Sequence, residues 1–418
     1  MRVLWLATKS PWPAIDGGRL LLWETLAALA ERGDGTIDVL AAVDRDAPDA
    51  DPPSLDGITI QRVPVARPSM RRAWLASLRG RAPEARSAIL QRHATPTLAR
   101  AAADALRAAA ASGAPYNVVQ VEQVHALWPA RVAIASAVAS GAPRPSLVLR
   151  AQNVESDLWR GVAGLHRGPM RVLLRREARR LARAEGAAVR ACDAVCALTP
   201  EDAGQLMRFG GPSARAVEVL PAPVRQPLQP ASRTLAGDPA LVVFGSRGWR
   251  PNRDGVDWLL DAIWPPLASA LPGARLHWIG GDGDDERTST PAHTDRITRH
   301  PAPLDSRDAF APGSVHIVPL RVASGVRMKI LEAWSRGVAV VATPAAARGL
   351  YGLAHGDGAP PVRLASDAAG FVAMCDALRD PSTCAAQIAS ARVVLRRNHA
   401  PTRVAGQLVT LWEGLRSS

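Results

Sequence analysis

Short, continuously apolar runs alternate along this chain with longer stretches whose apolar positions recur every three to four residues. Val3 to Thr8, Ile37 to Val43, Val118 to Val121, Leu147 to Arg150, Ala194 to Leu198 and Val217 to Leu220 are apolar enough to be strands covered on both faces. Helical stretches rich in Ala and Arg separate several of them, and that order predicts an α/β domain with a mainly parallel sheet. From Pro221 to Pro239 the sequence loses its period and fills with Pro and small residues, which predicts an inter-domain linker. A second series then begins: Leu241 to Phe244, Arg275 to Ile279, Val315 to Leu320, Val338 to Ala342 and Val362 to Leu364. The expected organisation is an α/β domain over 1–222, a linker over 223–239, a second α/β domain over 240–400, and a helical tail over 401–418 packing back across the domain junction. Two such domains would face each other across a cleft at the carboxyl ends of their strands.

Bulk composition agrees with this layout. A chain of 418 residues exceeds what one core usually supports, so two domains are expected. Hydrophobic residues at 47% and charged residues at 21% exclude a disordered chain, and no apolar run is long enough to span a bilayer. The first residues, MRVLWLATKS, are too short and wrongly flanked for a signal peptide, which predicts a cytoplasmic protein. Cys192, Cys196, Cys375 and Cys384 have neither CxxC spacing nor a nearby His pattern, and read as buried inert thiols.

The formal net charge of +13 implies attraction to polyanions, and its distribution narrows the choice. Nine arginines and two acids lie between Arg67 and Arg107, and a second cluster runs from Arg160 to Arg190. In RVLLRREARRLARAEGAAVR the residues Leu174, Ala178 and Leu181 share one helical stripe with arginines around it. Such a helix suits either a solvated protein face or the anionic inner face of a cell membrane. Nucleic acid is the other polyanion to weigh. Aromatic residues make up only 4% of the chain and no recognition helix, RNP-like or zinc pattern is present, so no nucleic-acid partner is expected.

The densest chemistry lies in Ser324 to Gly337, SGVRMKILEAWSRG. It follows the run Val315 to Leu320, so Ser324, Gly325 and Val326 fall where a strand gives way to a helix. A helix N-terminus there offers amide N–H groups and a positive dipole end to an anion. Arg327 and Lys329 supply cations, and Glu332 supplies a carboxylate that accepts from hydroxyl groups. Of 51 Lys plus Arg only Lys9 and Lys329 are lysines, and both lie beside glycine-containing strand-to-helix loops.

These residues together resemble the retaining glycosyltransferases of family 4, built on the two-domain GT-B fold. Near the start, PWPAIDGG (Pro11 to Gly18) resembles the family's proline and double-glycine loop, and RAQNVESDLW (Arg150 to Trp159) resembles an R-x-H-N-V-E signature of exopolysaccharide transferases. FGSRGWRPNRDGVDWLLDAIWPPL and VPLRVASGVRMKILEAWSRGVAVVAT resemble the start of the donor domain and its sugar-nucleotide site. The resemblance implies transfer of a sugar from a nucleoside-diphosphate donor to a glycan or lipid-linked acceptor with retention at the anomeric carbon. It implies no cofactor and no metal. It assigns Arg327 and Lys329 to the leaving diphosphate and Glu332 to the ribose. Gly17, Gly18, Gly245, Arg247, Ser324, Gly325 and Val326 fall around the donor, and Glu122, Gln152, Asn153 and Glu155 on the acceptor side.

The sequence departs from the family pattern at two places. The first glutamate of E-x7-E falls at Ser324, consistent with a small-residue variant, and the histidine of R-x-H-N-V-E falls at Gln152, which cannot take a proton. A front-face reaction in which the leaving phosphate accepts the proton accommodates Gln152. A sugar-nucleotide epimerase of similar frame and a degenerate donor-binding protein remain alternatives. Asp282-Gly283-Asp284 spells the Asp-x-Asp of metal-dependent transferases but has no supporting context. Asn252, after Pro251, is expected to cap the helix that runs to Leu260.

Overall fold

The computed structural model describes residues 1–44, 51–212, 214–245, 248–280, 293–303, 306–353 and 361–416. The chain divides into two compact units, one of Met1–Pro223 with Pro401–Ser418 and one of Val224–Ala400. Each unit is built on a wholly parallel sheet, of seven strands in the first and six in the second.

The first sheet contains β1 (Arg2–Ala7), β2 (Thr36–Asp44), β3 (Ile58–Val65), β4 (Val118–Glu122), β5 (Ser146–Ala151), β6 (Ala194–Ala197) and β7 (Val217–Val219), in the order β3-β2-β1-β4-β5-β6-β7. The second contains β8 (Ala240–Phe244), β9 (Arg275–Ile279), β10 (Ile297–His300), β11 (Val315–Val318), β12 (Ala339–Ala342) and β13 (Arg363–Leu364), in the order β10-β9-β8-β11-β12-β13. In both, the order reverses beside the first strand, between β1 and β4 and between β8 and β11. Loops leaving the carboxyl ends of those pairs diverge and open a crevice.

Burial explains the sheets. Along β1, Leu4 and Leu6 enter one apolar cluster while Val3, Trp5 and Ala7 enter another, so every side chain of a central strand meets a helical layer. Two strands escaped the sequence reading, β3 and β10, and both are sheet edges. β3 carries polar residues at alternate positions and Pro64, whose missing N–H an edge tolerates.

The structure places the stripe Leu174, Ala178 and Leu181 in the core. On the helix Gly168–Ala191 all three are buried against the rest of the first unit and are unavailable to a membrane. The expected linker also has a different character. Its residues run along the second unit, with Leu228 N donating to Ser335 Oγ at 3.2 Å, Ala231 N to Phe310 O at 3.0 Å and Asp238 N to Gly273 O at 2.8 Å. The tail forms the helix Pro401–Gly414, which belongs to the first unit. There Trp412 Nε1 donates to Gln120 Oε1 at 2.8 Å and its ring meets Trp5 edge-on at 6.0 Å.

Candidate functional site

In the second unit the crevice between β8 and β11 holds a small recess of about 10 Å³ whose walls include Val243, Phe244, Asn252, Val318, Leu320 and Lys329. β8 is followed by Gly245, whose φ of 149° suits glycine; its N–H donates to Ile279 O at 3.0 Å. A β-carbon there would fall 2.5 Å from the Asn252 amide nitrogen. Asn252 is not the helix cap expected from the sequence. With Pro251 in the first turn, the helix begins at Arg250 behind Trp249, which places Asn252 at the third helical position and facing the recess.

Lys329 reaches into this recess from the helix Met328–Ser335. Its Nζ donates to Phe244 O at 2.6 Å and lies 3.5 Å from Asn252 Oδ1. Burial pushes its pKa down to about 8, helped by the Arg327 charge and opposed by Glu332. Beneath it on β11, the fully buried His316 is held at about 3 by burial and by the Lys329 charge, so its ring is neutral. The helix has no side-chain cap on its N-terminus. The approach to it is Ser324, Gly325 and Val326, all buried, with Gly325 at a φ of 71°. Arg327 donates to Ser324 O and stacks over the Trp249 ring at 5.9 Å. A residue unremarked in the sequence shapes this loop from behind: a β-carbon on Gly349 would sit 2.8 Å from Gly325 O.

Glu332 lies one turn further along, only 4% exposed. Its Oε1 accepts from Ser306 Oγ at 2.5 Å and from Arg336 at 3.3 Å. Thus Gly245, Ser324, Gly325, Val326, Arg327, Lys329 and Glu332 belong to one region of one unit. Arg247 and the Asp282 to Asp284 triplet lie outside the described residues.

The first unit gathers its own set at the carboxyl ends of β1 and β4. Glu122 closes β4, opposite Arg150 on β5, and both are almost fully buried. The carboxylate accepts from Arg150 Nε at 3.1 Å, Trp5 Nε1 at 3.1 Å and Gln152 Nε2 at 2.7 Å, while Arg150 Nη1 donates to Thr25 Oγ1 at 2.7 Å. Gln152 in turn accepts from Gln123 Nε2 at 2.8 Å. Gln123 has a φ of 69°, a strained position for a residue with a side chain, and its N–H donates to Arg150 O at 2.9 Å. Gln152 is therefore a tie between strand ends.

Gly17 and Gly18 begin the helix Gly17–Arg32, capped by Asp16, which accepts from the Gly18 and Arg19 amides at 3.0 Å. Gly18 leaves room for Gln152, whose Oε1 would be 2.9 Å from a β-carbon there. Burial would raise the Asp16 carboxyl, but the Lys9 charge and Arg19 contacts hold it below its ordinary value. Asn153 and Glu155 lead into the helix Glu155–Gly164, whose first amides donate to Glu185 at 2.6 and 3.3 Å. The Glu155 charge raises the pKa of His125, though burial lowers it more. His125 meets His93 edge-on at 4.7 Å, and His93 Nδ1 is 2.6 Å from Arg67. Arg67, His93 and Thr25 were not among the site residues expected from the sequence, because their partners come from segments distant in the chain.

Residues 238–380 match the family described as Glycosyl transferases group 1, a stretch that holds Gly245, the 324–326 loop, Arg327, Lys329 and Glu332. Among solved structures, the chain is similar to sucrose-phosphate synthase from Thermosynechococcus elongatus, at 15% identity over 100% of both chains and a TM-score of 0.67. It is also similar to Anabaena HepE in complex with UDP-glucose, at 14% identity over 99% of this chain and 100% of that one, with a TM-score of 0.61. The trehalose 6-phosphate synthase from Burkholderia multivorans gives 14% identity over 100% and 99%, with a TM-score of 0.59. At these identities the likeness establishes the fold, which is GT-B with two Rossmann-like α/β domains. No curated protein matches the sequence.

Proposed function

We propose that the protein is a retaining glycosyltransferase that moves a sugar from a nucleoside diphosphate to a glycan or lipid-linked acceptor in surface polysaccharide or glycolipid synthesis. The observation that carries this reading is Lys329, a lone lysine in an arginine-rich unit, aimed into the crevice between β8 and β11. The match of residues 238–380 to Glycosyl transferases group 1 supports it, and HepE, solved with UDP-glucose, suggests the donor class to test.

The difficult step in such a transfer is departure of the diphosphate, which gains negative charge as the anomeric carbon becomes oxocarbenium-like. Fixed cations and amide N–H groups aimed at its oxygens stabilise that charge more in the transition state than in the ground state. Lys329, Arg327 and the amides of the 324–326 loop fill this role. Glu332 already accepts from one hydroxyl, that of Ser306, with Arg336 steadying the carboxylate, and a ribose hydroxyl would be received in the same way. Gln152, committed to Glu122 and Gln123, positions the first unit's strand ends, and the departing phosphate takes the acceptor's proton. No metal enters this scheme.

A panel of UDP-, GDP- and ADP-sugars tests the donor assignment by thermal stabilisation. Ligand at a hundred times its dissociation constant adds about 2.7 kcal/mol to the unit that binds it. Lys329→Ala and Glu332→Ala should keep the fold, lose the shift and slow release of nucleoside diphosphate about a hundredfold or more. Wild-type shifts and rates in both variants would refute the assignment.

A further inference from the structure

The three most exposed large hydrophobic residues among those described are Val172 at 69%, Leu78 at 68% and Leu75 at 64%, and they sit on only two helices, Met70–Arg79 and Gly168–Ala191. On the first, Ala73 and Ser77 are buried, and a step of about 100° per residue puts Leu75 on the opposite side, flanked by Arg71, Arg72 and Arg79. On the second, Val172 lies opposite the buried Leu174, Ala178 and Leu181, among Arg175, Arg176, Arg179 and Arg183. The helices are neighbours: Arg180 donates to Ser77 Oγ at 3.4 Å, and Glu177 accepts from Ser87 Oγ at 2.6 Å just beyond the shorter helix.

The sign of the charge is unmixed. The helix Met70–Arg79 contains no acid, and the two acids of Gly168–Ala191, Glu177 and Glu185, are only 0% and 3% exposed and are used inside the fold. The arginines around Leu75 and Val172 are all exposed, and none of them pairs with an acid among the described residues. Single-stranded nucleic acid is gripped by exposed rings that stack on its bases, and no ring on these two helices is exposed.

We propose that this face docks on an anionic lipid bilayer, with Leu75, Leu78 and Val172 entering the headgroup boundary and the arginines meeting lipid phosphates. The surface differs from the stripe named in the sequence, which is core. The proposal is independent of the sugar-transfer reading, because its readout is lipid binding alone.

The full chain is mixed with vesicles of phosphatidylcholine alone and with vesicles containing roughly one-third phosphatidylglycerol, at low and high salt. Binding should favour the anionic vesicles by about tenfold or more and weaken with salt. Leu75→Ser with Leu78→Ser and Val172→Ser, and separately Arg175→Gln with Arg176→Gln and Arg179→Gln, should each weaken it about tenfold. These positions are exposed, and unchanged thermal unfolding checks that the variants fold. Equal binding to both vesicle types, or wild-type binding by the serine variant, overturns the proposal. So does self-association without lipid that the serine variant abolishes, which would make a second copy the occupant. Displacement from vesicles by duplex DNA at equal phosphate, unchanged in the serine variant, would point to nucleic acid instead.

Discussion

Donor binding should weaken as the pH rises through 8, and Lys329 sets the size of the effect. Its pKa falls from the ordinary 10.5 to about 8, because burial removes water from the ammonium and Arg327 lies close, with Glu332 acting the other way. For a lysine, a depressed value means that the charged form is the costly one in the folded protein. That cost is present in full below pH 8 and is relieved between 8 and 10.5, so in the free protein this group adds stability as the pH climbs through that window. A bound diphosphate reverses the preference, since it favours the ammonium. If only the protonated lysine binds, the competent fraction is about 0.9 at pH 7 and about 0.1 at pH 9, which weakens apparent affinity roughly tenfold. Titration calorimetry with UDP-glucose at pH 7, 8 and 9, at fixed ionic strength, measures this directly. Lys329→Met supplies the baseline, because ionisation of the ligand and of all other groups is common to both proteins. A wild-type slope equal to that baseline, or tighter binding at pH 9, would refute the reasoning.

Two further outcomes are expected from packing. Arg150→Met removes the buried guanidinium that faces Glu122 and leaves the carboxylate to Trp5 and Gln152, which should cost about 3–5 kcal/mol in urea unfolding of the first unit. A loss below about 1 kcal/mol would mean that the pair is not desolvated as described. Gly349→Ala puts a β-carbon against the Gly325 carbonyl and should displace the 324–326 loop, at about 1–3 kcal/mol of strain. The measurable sign is a smaller thermal shift with UDP-sugars than wild type, and an undiminished shift would show that the loop does not touch the donor.

How far the sequence could be read follows from which interactions are local. Strands buried on both faces, such as Leu4 to Leu6 in β1 or Ala339 to Ala342 in β12, leave continuous apolar runs and were legible. The edge strands β3 and β10 leave half-polar runs such as ITRH, which resemble loops. Lys329 stood out because lysine is rare here, but its acceptor, the Phe244 carbonyl, lies across the sheet and has no side-chain signature. The Glu332 to Arg336 pair is spaced at i,i+4 and lay within reach of sequence reasoning, whereas Ser306 comes from another loop. The Glu122 and Arg150 pairing needed the register of β4 against β5, which no pattern in either strand specifies.

The helix Pro401–Gly414 makes the first unit discontinuous, with Val224–Ala400 inserted into it. During synthesis, Trp5, Leu26 and Val39 wait for Val404, Leu408 and Trp412, so their apolar face stays uncovered until the whole intervening unit has emerged. The inserted unit is closed at its base, since Val224 N donates to His399 O at 2.8 Å. Its two ends are already adjacent, which makes it a natural module for excision, transplantation or circular permutation.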